Sequence, residues 1–266
     1  MIIKKYPTEK NLVRSHFADT EAYEHRIRKY VPSYDDMLDT ILDCSKTGDR
    51  LDIILELGCG TGNLSHRLLE KNRGCRLIAI DCVPEMIAMC KERLRIFGPR
   101  CEIICANMLE FKRRDSFNRV ISNLVLHYPE TEKNKISVVT NVFSSLKPGG
   151  TFSFSAMLTG KKLKTTRRIW RSWERKILRH GVTQKELQEW YATCHGSDHP
   201  VSASLWLEWL AKVGFERCEL IWRETIFGIF RAEKPLRTRA SISIGLETEL
   251  PMMKEHEACS YDGTIK

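Results

Sequence analysis

An α/β fold built on a parallel sheet is what this sequence predicts, and three observations carry it. Short apolar runs near 52–57, 76–81, 101–105, 118–123 and 151–156 are separated by stretches with helical or loop character. The first run ends in a cluster of glycines with a helical pattern directly behind it. Two later runs, near 216–222 and 225–231, stand too close together for a helix between them. Strand–helix alternation gives a parallel sheet with right-handed crossovers. Two strands without room for a crossover must pair as a hairpin.

Taken in order, residues 1–16 read as a mobile start. Residues 17–34 carry Phe17, Tyr23, Tyr30 and Tyr34 with Pro32, and 35–44 reads as a helix with Met37, Leu38, Ile41 and Leu42 on one face. Ser33 and Asp36 have the spacing of a capping box with a shorter acid. Residues 51–62, LDIILELGCGTG, then form the most informative stretch of the chain. The apolar run has the length and branching of a buried parallel strand. Glycines let the backbone turn sharply and approach a ligand. The helix that follows aims free N–H groups at the turn. Together these make a cradle for a nucleotide-type cofactor.

The spacing narrows the cofactor. A dinucleotide fingerprint needs Gly-x-Gly-x-x-Gly or Ala, whereas here the third glycine comes one residue early, at Gly58, Gly60 and Gly62. Asp81 closes the next strand 19 residues after Gly62. A carboxylate at that strand tip can accept hydrogen bonds from both ribose hydroxyls. The loop suits a cofactor without a pyrophosphate.

The run Glu56-Leu57-Gly58-Cys59-Gly60-Thr61-Gly62 with Asp81 resembles motif I and the acidic partner of class I S-adenosylmethionine-dependent methyltransferases, in particular their small-molecule branch. The resemblance continues in order along roughly residues 12–234. Ile80 to Ile87 is similar to the second-strand segment, and Val120 to Tyr128 to the fourth. Leu146-Lys147-Pro148-Gly149-Gly150 resembles the turn into the fifth strand, and Val213-Gly214-Phe215 the turn before the sixth. The family implies a Rossmann-like seven-stranded sheet of order 3-2-1-4-5-7-6, with an antiparallel hairpin strand, a helical N-terminal flap (17–45) and a helical, substrate-covering insertion (157–200) after strand five. Residues 1–234 would form a single domain and 235–266 a loosely ordered tail.

The resemblance also implies a cofactor, S-adenosyl-L-methionine, and residues to hold it. Gly58 and Gly60 bring backbone close to it, beside Glu56. Asp81 takes the ribose, and Cys82 and Met86 pack against the adenine. Asn107, where relatives carry aspartate, keeps a carbonyl acceptor and loses the charge, with Met108 beside it. Asn123 and Leu124 cap strand four at the methionine portion, and Tyr34 and Tyr23 of the flap are either lid residues or packing within the flap. His127 titrates in the range of a general base, and with Tyr128 it is expected at the methyl-transfer cavity. A structural hydrogen bond is the competing reading of His127.

Composition sets bounds. The 266 residues are enough for a sheet between two helix layers, and 42% hydrophobic content is that of a globular domain. No stretch approaches the roughly 20 apolar residues of a membrane span, and no secretory signal is visible, so a cytoplasmic location is expected. Ten cysteines occur without a Cys-x-x-Cys pair, which favours reduced thiols over a metal framework. Cys194, His195, Asp198 and His199 cluster, but match no zinc spacing and read as a polar loop. The net charge of +9 concentrates between Lys161 and Arg179, where Glu174 is the only acid. Trp170 and Trp173 are interleaved there, placed either to stack on a base or to pin the helix to the core. Three readings of function follow: methylation of a small molecule, anionic or aromatic; methylation of a tRNA wobble uridine using the basic stretch; and a cofactor-binding sensor or partner subunit. The acceptor atom and the oligomeric state stay open.

Overall fold

The computed structural model describes residues 26–44, 52–194 and 197–236. The strands are β1 (Ile53–Leu57), β2 (Arg76–Asp81), β3 (Cys101–Cys105), β4 (Phe117–Ser122), β5 (Leu146–Thr159), β6 (Val201–Ser202), β7 (Glu216–Glu224) and β8 (Phe227–Glu233). The helices are α1 (Tyr34–Asp43), α2 (Asn63–Lys71), α3 (Pro84–Leu94), α4 (Glu132–Ser145), α5 (Leu163–Arg179), α6 (Gln184–Cys194) and α7 (Ala203–Val213), with a 3-10 turn at Arg95–Arg100 and a helical segment at 26–30. Among the described residues no helix is long and apolar enough to cross a membrane.

Along the sheet the strands run β3-β2-β1-β4-β5-β8-β7. β3 through β5 pair in parallel, and β8 is antiparallel to both β5 and β7. This is the expected seven-strand order. The added strand, β6, has two residues and pairs with the end of β5 at Leu158 and Thr159.

Alternation along the strands feeds two cores. Ile54, Leu77, Ala79 and Ile121 face one side and pack with α1, α2, α3 and α5. Leu55, Leu57, Ile80 and Val120 face the other and pack with α4 and α7. The sheet is thus covered on both faces, which is why the central strand β1 (IILEL) is apolar at four of its five positions.

Several boundaries differ from the sequence reading, each for a local reason. β5 begins at Leu146 rather than at 151, because Leu146 pairs with Phe117 across a register shift. It also runs on to Thr159, taking the first residues assigned to the insertion. Ser33 makes no side-chain cap to α1, so the capping box is not formed there. Instead, the Thr40 hydroxyl donates to the Asp36 carbonyl at 2.7 Å. Other signals hold. Gly214 ends α7 at φ 112°, and a Cβ there would sit 3.2 Å from the Phe143 ring. Ser202 caps α7 by accepting from the Leu205 amide. Of the described cysteines, Cys59, Cys75 and Cys90 are buried free thiols, whereas Cys82 and Cys105 are exposed at strand ends.

Candidate active site

Three strand tips and one turn create a cavity of about 590 Å³ at the carboxyl edge of the sheet. This is where open α/β sheets take ligands, because the chain leaves β1 and β4 to opposite faces. The size lies in the range of about 300–1,000 Å³ typical of small-molecule sites. Its wall includes Tyr34, Glu56, Gly58, Gly60, Asp81, Cys82, Met86, Asn107, Met108 and Asn123. All ten residues assigned to the cofactor from the sequence are therefore brought to one space.

The glycine turn is held from below. The Cys59 amide donates to the Ile80 carbonyl at 3.0 Å, and Arg93 reaches across to Thr61 and Asn63 at 3.2 and 2.5 Å. Gly58, at φ 66°, has no room for a side chain: a Cβ would overlap Val125 at 2.3 Å. Gly60, at φ 53°, is different. Nothing lies within 4 Å of the Cβ position, so the backbone there faces open space on the wall. The first glycine admits a neighbour and the second leaves space for a ligand.

Asp81 is fixed by two backbone donors. Its carboxylate accepts from the Gly60 amide and from the Val83 amide, each at 2.9 Å. Each oxygen keeps lone-pair capacity toward the cavity. Burial raises its pKa while the amides of Val83 and Gly60 oppose the rise. Glu56 is buried and accepts from the Ser65 hydroxyl. Desolvation pushes its carboxyl up to about 8. The third acid on the wall is Glu110, and among the described wall residues no lysine, arginine or histidine appears.

On the β4 side the wall is built by strain and a hydroxyl. Leu124 sits at φ 54°, a conformation costly for a branched side chain. Its amide donates to Ser155 Oγ at 2.8 Å, and Ser155 Oγ donates to Asn123 Oδ1 at 2.6 Å. One residue of β5 thus holds both wall residues. Asn107 makes a tight turn, accepting the Leu109 amide on Oδ1 at 2.9 Å, so the turn reading and the wall position apply together.

His127 differs from its expected place. Tyr128 lines the wall, but His127 does not. The residue is 2% exposed. Nδ1 accepts from the Met157 amide at 3.5 Å, and Nε2 lies 4.0 Å from Asp198. Its carbonyl takes the His199 amide at 2.9 Å and the buried Lys135 ammonium at 3.3 Å. Burial holds the ring pKa down to about 3, with the charges of Lys135 and His199 adding to the effect. A neutral ring packed behind the wall is placed to anchor the loop that carries Val125, Tyr128 and Pro129. Tyr23 and His195 lie outside the described residues, as does the side chain of Cys194.

Sequence reasoning missed Val125 and Glu110. Val125 had a signal, since the residue that fills the space left by Gly58 must come from a neighbouring strand tip. Glu110 had none. The tryptophans of the basic stretch are resolved as core: Trp170 and Trp173 are buried, and Trp173 Nε1 donates to the Tyr30 carbonyl at 2.8 Å.

Comparison with known proteins agrees with this geometry. Residues 54–150 match a family model described as a methyltransferase domain. Carboxy-S-adenosyl-L-methionine synthase of Shewanella loihica is 30% identical over 141 residues, 51% of this chain and 57% of that protein. Malonyl-[acyl-carrier protein] O-methyltransferase of Acetivibrio thermocellus is 32% identical over 151 residues, 55% of this chain and 50% of that protein. The chain thus spans about half the length of these curated relatives. The N-methyltransferase NodS of Bradyrhizobium japonicum, solved with S-adenosyl-L-homocysteine, superposes with a TM-score of 0.55 at 19% identity, covering 76% of this chain and 87% of that one.

Proposed function

We propose that the chain is a class I S-adenosylmethionine-dependent methyltransferase that moves a methyl group from S-adenosyl-L-methionine to a small-molecule acceptor. The observation that carries this reading is the Asp81 carboxylate, fixed by the Gly60 and Val83 amides at the mouth of the glycine turn. Such a carboxylate is preorganised to accept the two hydroxyls of a ribose without reorienting. Gly60 offers the close approach, and Asn107 and Met108 line the wall near β3, where an adenine would pack. The wall carries the Asp81 and Glu110 carboxylates without a facing cation among the described residues, which suits a cofactor bearing a sulfonium and an ammonium.

When bound, that cofactor supplies a methyl group already activated for in-line displacement. The chain's own part is to align the acceptor and exclude water. Asn123, Leu124 and Tyr128 form the wall on the β4 side, and Tyr34 brings the flap to the cavity. The insertion α5–α6 is tied to that flap through Trp173 and Tyr30. His127 stays neutral and behind the wall, so the reading needs no proton transfer to it. An acidic wall favours a neutral or cationic acceptor over an anionic one. It also disfavours the reaction for which the Shewanella protein is named, because that product adds a carboxylate to the cofactor. The tRNA reading loses its aromatic half, since both tryptophans face the core.

The test is direct. Full-length protein is titrated with S-adenosyl-L-homocysteine and, in parallel, with NAD. It is then incubated with S-adenosyl-L-methionine and separate pools of amines, alcohols, thiols and carboxylates. Saturable binding of the first ligand alone, with product release above the no-acceptor rate in a neutral or amine pool, is the expected result. No binding of S-adenosyl-L-homocysteine would sink the reading, and turnover confined to the carboxylate pool would overturn the acceptor assignment.

A further inference from the structure

The exposed face of α5 carries Lys164, Arg167, Arg168, Arg171, Arg175 and Arg179. Arg167, Arg171, Arg175 and Arg179 follow one another at i, i+4, a single row on a helix. Several cations elsewhere on the molecule pair with acids: Arg28 and Arg67 with Asp35, Lys71 with Asp39, Arg119 with Asp52, and Lys234 with Asp115. On this face none of the six meets a carboxylate among the described residues. The acids nearby are engaged: Glu224 pairs with Lys176, and Glu174 accepts from the Tyr191 hydroxyl.

At its C-terminal end the row opens into a cleft of about 500 Å³, lined by Ser172, Arg175, Lys176, Arg179, His180 and Thr225. No lining residue is shared with the cofactor cavity. Thr225, at the tip of the β7–β8 hairpin, closes the cleft from the side opposite α5. It sits at φ 49°. Basic residues in a last helical turn also offset the helix dipole. That effect fades within one turn, whereas the row runs back to Arg167.

We propose that this cleft binds a phosphoryl group. Arg175 and Arg179 stand one turn apart, about 6 Å along the axis. Guanidinium forks at that spacing can bracket the oxygens of one phosphate. The hydroxyls of Ser172 and Thr225 supply neutral donors, and Lys176, by holding Glu224, keeps a carboxylate from competing. The ligand is a phosphomonoester, either free or as the headgroup of an anionic lipid. The cleft adds a second ligand site on the outer surface of the insertion, independent of methyl transfer.

The test uses the full chain and two probes, inorganic phosphate and phosphatidylcholine vesicles with or without phosphatidic acid. Calorimetry with phosphate should give one saturable site, weakened at least about tenfold in Arg175→Ala/Arg179→Ala. The variant Arg175→Lys/Arg179→Lys keeps the charge and loses the forks, so binding should weaken at least about threefold. Affinity for S-adenosyl-L-homocysteine should be unchanged in both, and matching thermal melts check that both fold. Phosphate binding marks a free ligand. Cosedimentation only with phosphatidic acid vesicles, lost in the alanine variant, marks a headgroup, and either supports the site. Binding to neither probe overturns it, as does equal binding by wild type and alanine variant. Lysine and wild-type forms that bind alike would also overturn it, because diffuse charge would then explain the affinity.

Discussion

On the β1–β2 side of the cavity the wall is made by backbone: amides of Gly60 and Val83 on Asp81, and a turn whose shape depends on missing side chains. Where the flap meets the insertion, outside the cavity wall, the contacts are made instead by long side chains far apart in sequence. Trp173 donates to Tyr30, and the Tyr30 hydroxyl donates to the Glu186 carbonyl at 3.1 Å. Lys29 pairs with Glu186 at 2.5 Å and, with the Thr183 amide and hydroxyl, holds that carboxyl down at about 2. The flap's other edge docks on α2 through Asp35 with Arg67 and Asp39 with Lys71. A contiguous motif writes the first region, and tertiary packing writes the second. Damage to each should therefore be read out differently.

The largest effect is expected in the cap. Trp173 is fully buried against Tyr30 and Trp190. Trp173→Ala should cost about 3–5 kcal/mol of stability and raise the KM for acceptor. If chemical denaturation shows less than about 1 kcal/mol, the flap and the insertion are not one cap.

Next comes the cradle. Asp81→Ala removes up to two charge-assisted hydrogen bonds, each worth about 1.5–3 kcal/mol. Affinity for S-adenosyl-L-homocysteine should drop at least about tenfold. Equal calorimetric affinities for wild type and variant would remove Asp81 from the ribose site and break the contrast between the two regions.

The smallest effect concerns pH. Because Glu56 titrates at about 8 in the folded chain, above the usual carboxyl value near 4.3, the folded state holds that proton more tightly than the unfolded one. Its stabilising contribution is complete below pH about 4 and is lost as pH rises through 8. Glu56→Gln keeps an acceptor for Ser65 and removes the titration. Thermal melts of the two proteins should diverge between pH about 5 and 8, with wild type falling relative to the variant. Parallel curves would mean that Glu56 is ionised in the fold.

Some of this was legible residue by residue. The glycine register separated the cradle from a dinucleotide site, and Asp81 followed from its place at a strand end. Gly214 and Ser202 marked the ends of α7 through backbone rules that act over a few residues. His127 was legible as a titratable group near a strand tip. Its burial was not, because that depends on Lys135, Met157 and Asp198, which come from three separate stretches of chain. Trp170 and Trp173 could equally have been surface stackers until the helix phase was set by Tyr30 and Trp190.

What the sequence by itself determined is therefore local: the alternation that fixes the sheet, the turn that glycines alone can make, and the acid that closes β2. Tertiary structure alone decided which side of its loop His127 occupies, that Ser155 holds Leu124 in its strained conformation, and that the arginine row of α5 faces outward without a carboxylate among the described residues. The physical reason is range. Backbone conformational limits and strand periodicity act between neighbours in sequence. Burial, charge pairing and desolvation depend on groups that meet only after the chain has closed on itself.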